Sequence, residues 1–184
     1  MIKRMMGAAK LDTAVYEEVE ADSSATRQAM AVVVVVSLAT GIGMFRTGGL
    51  VGLVVGIPVS IGLWALWAWI TYLIGTTILK TAETEANWGQ LARTLGFAQS
   101  PGVLKVFGFI PGIGLLFFAI ASIWQLVAMV IAIRQALDFT STGDRGGKFR
   151  GPFELGVASW RAVGVAIVGF IPYALITSLI YTFI

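Results

Sequence analysis

The sequence predicts an all-α, polytopic integral membrane protein: five transmembrane helices, one of them short, together with an N-terminal amphipathic helix and an interfacial helix. Three observations lead there. The 184 residues are 57% hydrophobic and only 12% charged, with a mean hydropathy of +0.85, whereas soluble domains carry about a quarter charged residues. The charges leave long gaps at 28–45, 47–79, 106–133 and 162–184, and about 20 apolar residues cross a bilayer. The basic residues also sort almost entirely to one side when the chain is threaded through a membrane five times.

The first element is a cytoplasmic N-terminal segment over 1–24. Its basic start, Met1 to Arg4, runs into polar and acidic residues instead of an apolar core, so no cleavable signal peptide is expected and the first span serves as an uncleaved anchor. A short amphipathic helix is predicted over 8–21. Leu11, Val15 and Val19 recur every four residues, with Ala8 and Tyr16 beside them and Asp12, Glu17, Glu18 and Glu20 elsewhere. Such a helix packs on the membrane side of the bundle or offers an acidic docking surface. Asp22, Ser23 and Ser24 are candidate N-caps for the next helix.

Residues 25–184 form the transmembrane domain, with spans expected at about 25–45, 50–79, 97–110, 112–138 and 160–184. The first contains five consecutive valines, Val32 to Val36, which lipid tolerates because nothing there competes for backbone hydrogen bonds. Arg46 with Gly48 and Gly49 makes the turn. The second run is too long for one upright helix, reaching about 50 Å at ~1.5 Å per residue, so a kink is expected at Pro58. Gly48, Gly52 and Gly56 lie four apart, a small-residue stripe that lets another backbone approach. It packs within the chain or forms a dimer face. Trp64, Trp67, Trp69 and Tyr72 fall mid-span, where packing against helices or lipid explains them better than a ligand box.

The stretch from Asn87 to Gly114 is only half apolar. Asn87 followed by Gln90 is a capping-box pattern, and Trp88, Leu91 and Leu95 share one helix face with Arg93 off it. Gly96 is a candidate stop. This reads as an interfacial helix. Residues 97–110 are weakly apolar and include Gln99, Pro101 and Lys105, and Pro111 to Gly114 turn into a strong span that carries Trp124 and Gln125 and ends at Arg134, Gln135 and Asp138. Residues 139–159 make a polar loop. The last span contains Pro172, which should kink it.

Charge decides whether 97–110 crosses. If it does, Lys3, Arg4, Lys10, Arg27, Lys80, Arg93, Arg134, Arg145, Lys148, Arg150 and Arg161 collect on the cytoplasmic side, Lys105 snorkels toward them, and Arg46 alone faces out. If it dips and returns, seven cations face six. Twelve against one satisfies the positive-inside rule. Five spans follow, with the N-terminus cytoplasmic and the C-terminus opposite, in a bacterial cytoplasmic membrane.

Three stretches, Tyr16 to Ala29 (YEEVEADSSATRQA), Asn87 to Leu104 (NWGQLARTLGFAQSPGVL) and Ala132 to Thr142 (AIRQALDFTST), give the chain a resemblance to bacterial members of the Yip1 family of five-span membrane proteins. The resemblance implies a cytoplasmic N-terminus and one Yip1-like transmembrane domain over 25–184. Eukaryotic members are linked to vesicle traffic and Rab GTPases. The acidic Asp-Leu-x-Gly-Pro motif of those members is missing here, and the N-terminal region is too short for a comparable GTPase-docking tail. Their trafficking role does not carry over. Thr142 to Ser159 looks like an insertion relative to the tighter loop the resemblance implies.

The densest polar group near the membrane comprises Lys105, Gln125, Arg134, Asp138 and Arg161. Arg134 and Asp138 are four apart and can pair on one face. Charges at membrane depth are functional suspects, but most of these sit at helix ends, where snorkelling keeps the head in water. A clamp joining the third, fourth and fifth spans is the first reading; a protein or lipid-headgroup contact and a transport or proton path are the others. No span has a central acidic residue, which argues against an ion-coupled transporter.

Asp144 to Pro152 is Gly-rich and basic but lacks the spacing and strand of a phosphate-binding loop. It suits anionic lipid headgroups or a solvated linker. The chain has no cysteine and no histidine, which removes disulfides, ordinary zinc sites, His-ligated haem and imidazole catalysis. No catalytic residue, cofactor, metal or nucleic-acid partner is expected. The expected function is a non-enzymatic membrane scaffold, assembly or accessory subunit whose partners are the bilayer and other membrane proteins or further copies of itself. Alternatives are a small transporter or channel, and a membrane-shaping or trafficking-like adaptor.

Overall fold

The computed structural model describes residues 1–78, 87–137, 160 and 162–168. Among them the chain is helical throughout: α1 (Ile2–Ala9), α2 (Thr13–Ala21), α3 (Ala25–Gly43), α4 (Phe45–Leu73, continued by a π-helical turn, Ile74–Ile78), α5 (Trp88–Ala98), a 3-10 helix (Ser100–Phe109) and α6 (Gly114–Ala136). Residues 162–168 are also helical. Among the described residues three segments are long and apolar enough to cross a bilayer, Ala25–Gly43, Leu53–Ile78 and Gly114–Ala136.

The expected single helix over 8–21 is instead a hairpin of two helices. Leu11 adopts a left-handed backbone, φ 63°, which stops α1. Asp12 then caps α2, its side chain accepting from the Ala14 amide at 3.1 Å. The apolar face survives the break: Ala8, Tyr16 and Val19 are fully buried in the core, with Leu11 and Val15 packed against it. The Tyr16 hydroxyl donates to the Ala8 carbonyl at 3.0 Å, and burial pushes its pKa above the ordinary phenol value. Across the hairpin Arg4 binds Glu18 at 2.7 Å and Asp22 at 2.8 Å.

At the next turn Asp22 accepts from the Ser24 amide at 2.9 Å. Ser24 stands at the N-cap of α3 without a capping hydrogen bond of its own. Between α3 and α4 the sequence suggests a loop at Arg46 to Gly49, yet helical turns resume at Phe45. The non-helical residue is Gly49, φ 57° and ψ −156°, a backbone that glycine adopts without steric cost. The break in α4 therefore lies at Gly49, while Pro58 sits within its helical run.

The capping box opening α5 forms as the spacing predicts. Gln90 N–H donates to Asn87 Oδ1 at 3.0 Å, and Asn87 N–H donates to Gln90 Oε1 at 2.8 Å. The helix runs past Gly96 to Ala98 and then tightens into the 3-10 helix, with the Gly102 amide donating to the Gln99 carbonyl at 2.8 Å.

These two elements lie alongside α3 in parallel. A Cβ on Gly96 would stand 2.8 Å from Ala29 Cβ, and one on Gly102 would stand 2.6 Å from Val36 Cγ1. At the far end Gly43 meets the Lys105 carbonyl and Gly108. The turn over 110–113 includes Gly112 at φ 84°, and α6 then returns antiparallel, starting with Gly114 against the Gly108 carbonyl. The core gathers Ala8 of α1, α2, the first half of α3, the end of α4 (Trp67, Ala68, Ile70 and the following Ile74), α5, the last turns of α6 and the 162–166 stretch.

Candidate functional site

Of the five residues expected to cluster, Asp138 and Arg161 lie outside the described residues. So do Glu83 and Glu85, the 139–159 loop, Pro172 and most of the last span. The other three lie at different levels of α6. Lys105 Nζ sits 4.9 Å from the centre of the Phe118 ring, a cation–π contact. Phe118 precedes Arg134 by sixteen residues, about 24 Å along a helix. Lys105 therefore belongs at the end of α3 marked by Gly43 and Arg46. It does not reach toward the Arg27 end, because its own carbonyl is packed on Gly43.

Gln125 occupies the middle level. It is only 6% exposed, and its amide donates to Gln99 Oε1 at 2.7 Å and to the Gln99 carbonyl at 3.2 Å. Gln99 stands where the α-helix tightens into the 3-10 helix. The pair thus pins α6 to that junction and satisfies a polar side chain inside an apolar bundle. Glycine at 102 is required by close approach, since any Cβ there would run into the Gln125 amide and Val36. Arg134 is buried at the other end of α6, next to Gln135, whose amide donates to Glu17 at 3.1 Å.

Helix α5, expected at an interface, is instead enclosed. Leu91 through Ala98 are all buried, because α2 covers the side that Arg93 occupies. Leu91 and Leu95 lie in the core, while Trp88 stays part-exposed and meets Tyr72 edge-on, ring centres 6.4 Å apart. Arg93 is 8% exposed. Its Nε donates to the Val19 carbonyl at 2.9 Å and a terminal nitrogen donates to the Glu20 carbonyl. A cation thereby closes the last turn of α2, where the carbonyls and helix dipole favour positive charge.

The N-terminal hairpin is pinned at three levels, by Arg93, by Gln135 and by Trp124, whose indole N–H donates to the Ala9 carbonyl at 2.8 Å. Gln99, Arg93 and Trp124 thus carry contacts that the sequence does not announce. One signal was present for Arg93: it is the lone charge among the apolar residues of α5, so burial required it to find acceptors.

The glycine stripe has a different outcome. Among the described residues, a Cβ at Gly48 or Gly56 would meet nothing within 4 Å. Leu50, Val51 and Val54 in the same helix are exposed. Among the described residues no three Asp or Glu side chains gather closely enough to hold a metal ion.

No protein-family model matches the chain, and no curated protein or solved structure matches it.

Proposed function

We propose that this is a Yip1-like membrane scaffold or accessory subunit, working by helix packing and without an enzymatic step. The side of α4 with Gly48 and Gly56 carries the reading, because small residues facing no neighbour among the described residues leave room for another transmembrane helix. The polar side chains of the bundle support it too. Gln125 is bound by Gln99 and Arg93 by two carbonyls, so these side chains are committed to holding helices together. Lys105, on the 3-10 helix, lies beside the start of α6, Gln125 at its middle and Arg134 at its end, which weighs against a transport path through them.

In the membrane arrangement that fits, α5 and the 3-10 helix cross together beside α3. Eleven residues at ~1.5 Å and ten at ~2.0 Å reach about 36 Å, against a hydrocarbon core of about 30 Å. Lys105 then joins Arg46 on the far side, and the charge balance becomes eleven against two. The bias still favours five spans, with the N-terminus on the cytoplasmic side.

The test exploits the absence of native cysteine. Gly56→Cys in reconstituted full-length protein should cross-link to a second copy or a membrane partner, and the purified protein should exceed monomer mass in mild detergent. A monomer that never cross-links at Gly56→Cys or Val54→Cys overturns the scaffold reading.

A further inference from the structure

The N-terminal hairpin separates its charges by helix. On α1, Ile2, Lys3, Met6 and Lys10 are all exposed, and at 100° per residue they fall within an arc of about 100°. Ile2 is 69% and Met6 is 55% exposed, and Ala8 on the opposite side is fully buried. On α2 the exposed charges are Asp12, Glu17 and Glu18. One helix of the pair thus shows solvent an apolar strip edged with lysine, and the other shows it carboxylates. A freely solvated hairpin has no reason to expose two large apolar side chains only on its basic helix.

The position of α1 adds a second observation. Its end abuts Trp124, which is flanked on α6 by the exposed Ile120, Ile123 and Leu126, the apolar band facing away from the bundle. Near its start, Arg4 Nη1 donates to Gln28 at 3.4 Å, beside the exposed Arg27 and Met30 of α3. The strip therefore borders the apolar surfaces of two candidate spans. The last-turn carbonyls of α1 are also all occupied: Met6 by the Lys10 amide, Gly7 by Asp12, Ala8 by Leu11 and Tyr16, and Ala9 by Trp124. A helix end can lie at a bilayer only if its carbonyls are satisfied in this way.

We propose that α1 is a lipid-binding helix: Ile2 and Met6 lie among the acyl chains beneath the headgroups, and Lys3 and Lys10 snorkel outward to anionic phospholipid headgroups of the leaflet on the N-terminal side. The acidic α2 faces water, away from the anionic surface. This site is separate from the open side of α4 and does not depend on the scaffold reading.

The experiment places a fluorophore on Met6→Cys in full-length protein reconstituted in phosphatidylcholine nanodiscs, with headgroup-quencher phosphatidylglycerol or phosphatidylcholine titrated in. Phosphatidylglycerol should reach half-quenching at a lower fraction, by roughly five-fold for each lysine engaged. The advantage should shrink in high salt and vanish in the Lys3→Gln/Lys10→Gln variant. A probe on Leu115→Cys, exposed at the far end of α6 from these lysines, should show no such preference, and Ile2→Cys serves as a second reporter on α1. Equal quenching by the two lipids at both α1 positions overturns the proposal. So does a preference that survives loss of both lysines, or an α1 probe that neither lipid quenches, as when a protein covers the strip.

Discussion

Arg93→Met is the sharpest probe of how the N-terminal hairpin is held. The substitution keeps most of the side-chain volume but removes both donors to the Val19 and Glu20 carbonyls. A hydrogen bond to a charged group contributes about 1.5–3 kcal/mol, and the two share one guanidinium, so a loss of about 3 kcal/mol is expected. At ~1.4 kcal/mol per factor of ten, the population with the hairpin detached rises by about 150-fold. Hydrogen exchange of the α2 amides reads this directly, since protection reports the opening free energy. Arg93→Lys keeps a cation near the α2 terminus but reaches one carbonyl, so its effect should be closer to ten-fold. Exchange in α3 and α6 should change much less. If α2 protection is the same in Arg93→Met as in the parent while the bundle is intact, the capping argument is wrong.

Two further outcomes follow from the same contacts. Gln99→Leu and Gln125→Leu should each destabilise the bundle by about 1–2 kcal/mol in mixed-micelle unfolding, because each leaves its partner's amide short of a hydrogen bond. The double variant should lose less than the sum, by roughly 0.6–1.7 kcal/mol, the coupling typical of polar pairs in membrane bundles, and strict additivity would refute the clamp. The Asp22 carboxyl is held below the usual aspartate range by the Ser24 hydroxyl and then by Arg4. A depressed pKa contributes stability above the unfolded value, near about 4, and that stability is lost as pH falls through the folded value. Hairpin exchange should thus be flat near neutrality and rise only in acid, and a hairpin that loosens between neutral pH and mild acid would contradict this.

Local signals in the sequence were the ones that could be read. The Asn87–Gln90 box needs only two side chains three apart, and it forms; the apolar face of Ala8, Tyr16 and Val19 is legible because burial acts on periodicity even across a broken helix. The break at Leu11 was hidden, since a left-handed residue is usually announced by glycine or asparagine, and here the packing of Leu11 on the core holds it. The Gln99–Gln125 pair was hidden for another reason. Twenty-six residues separate the two, and nothing in either neighbourhood marks them as partners. The spacing of Gly48 and Gly56 suggests a packing surface, but a spacing pattern cannot distinguish a neighbour within the chain from one outside it.

The 3-10 helix is fitted to α3 by its pitch. The glycines at 102 and 108 are six apart, and in an α-helix they would point about 120° away from each other. With three residues per turn they stack on one face together with Lys105, and that face is the one against Val36 and Gly43. Six such residues advance about 12 Å, close to the ~10.5 Å between Val36 and Gly43 in α3, so the two helices stay in register. An α-helical turn there would rotate Gly108 away from that face. Pro101 helps start the tighter helix because it has no amide to donate, and the Ser100 hydroxyl closes the preceding turn by donating to the Phe97 carbonyl at 2.6 Å. Pro101, Gly102 and Gly108 thus set the pitch of this segment against α3.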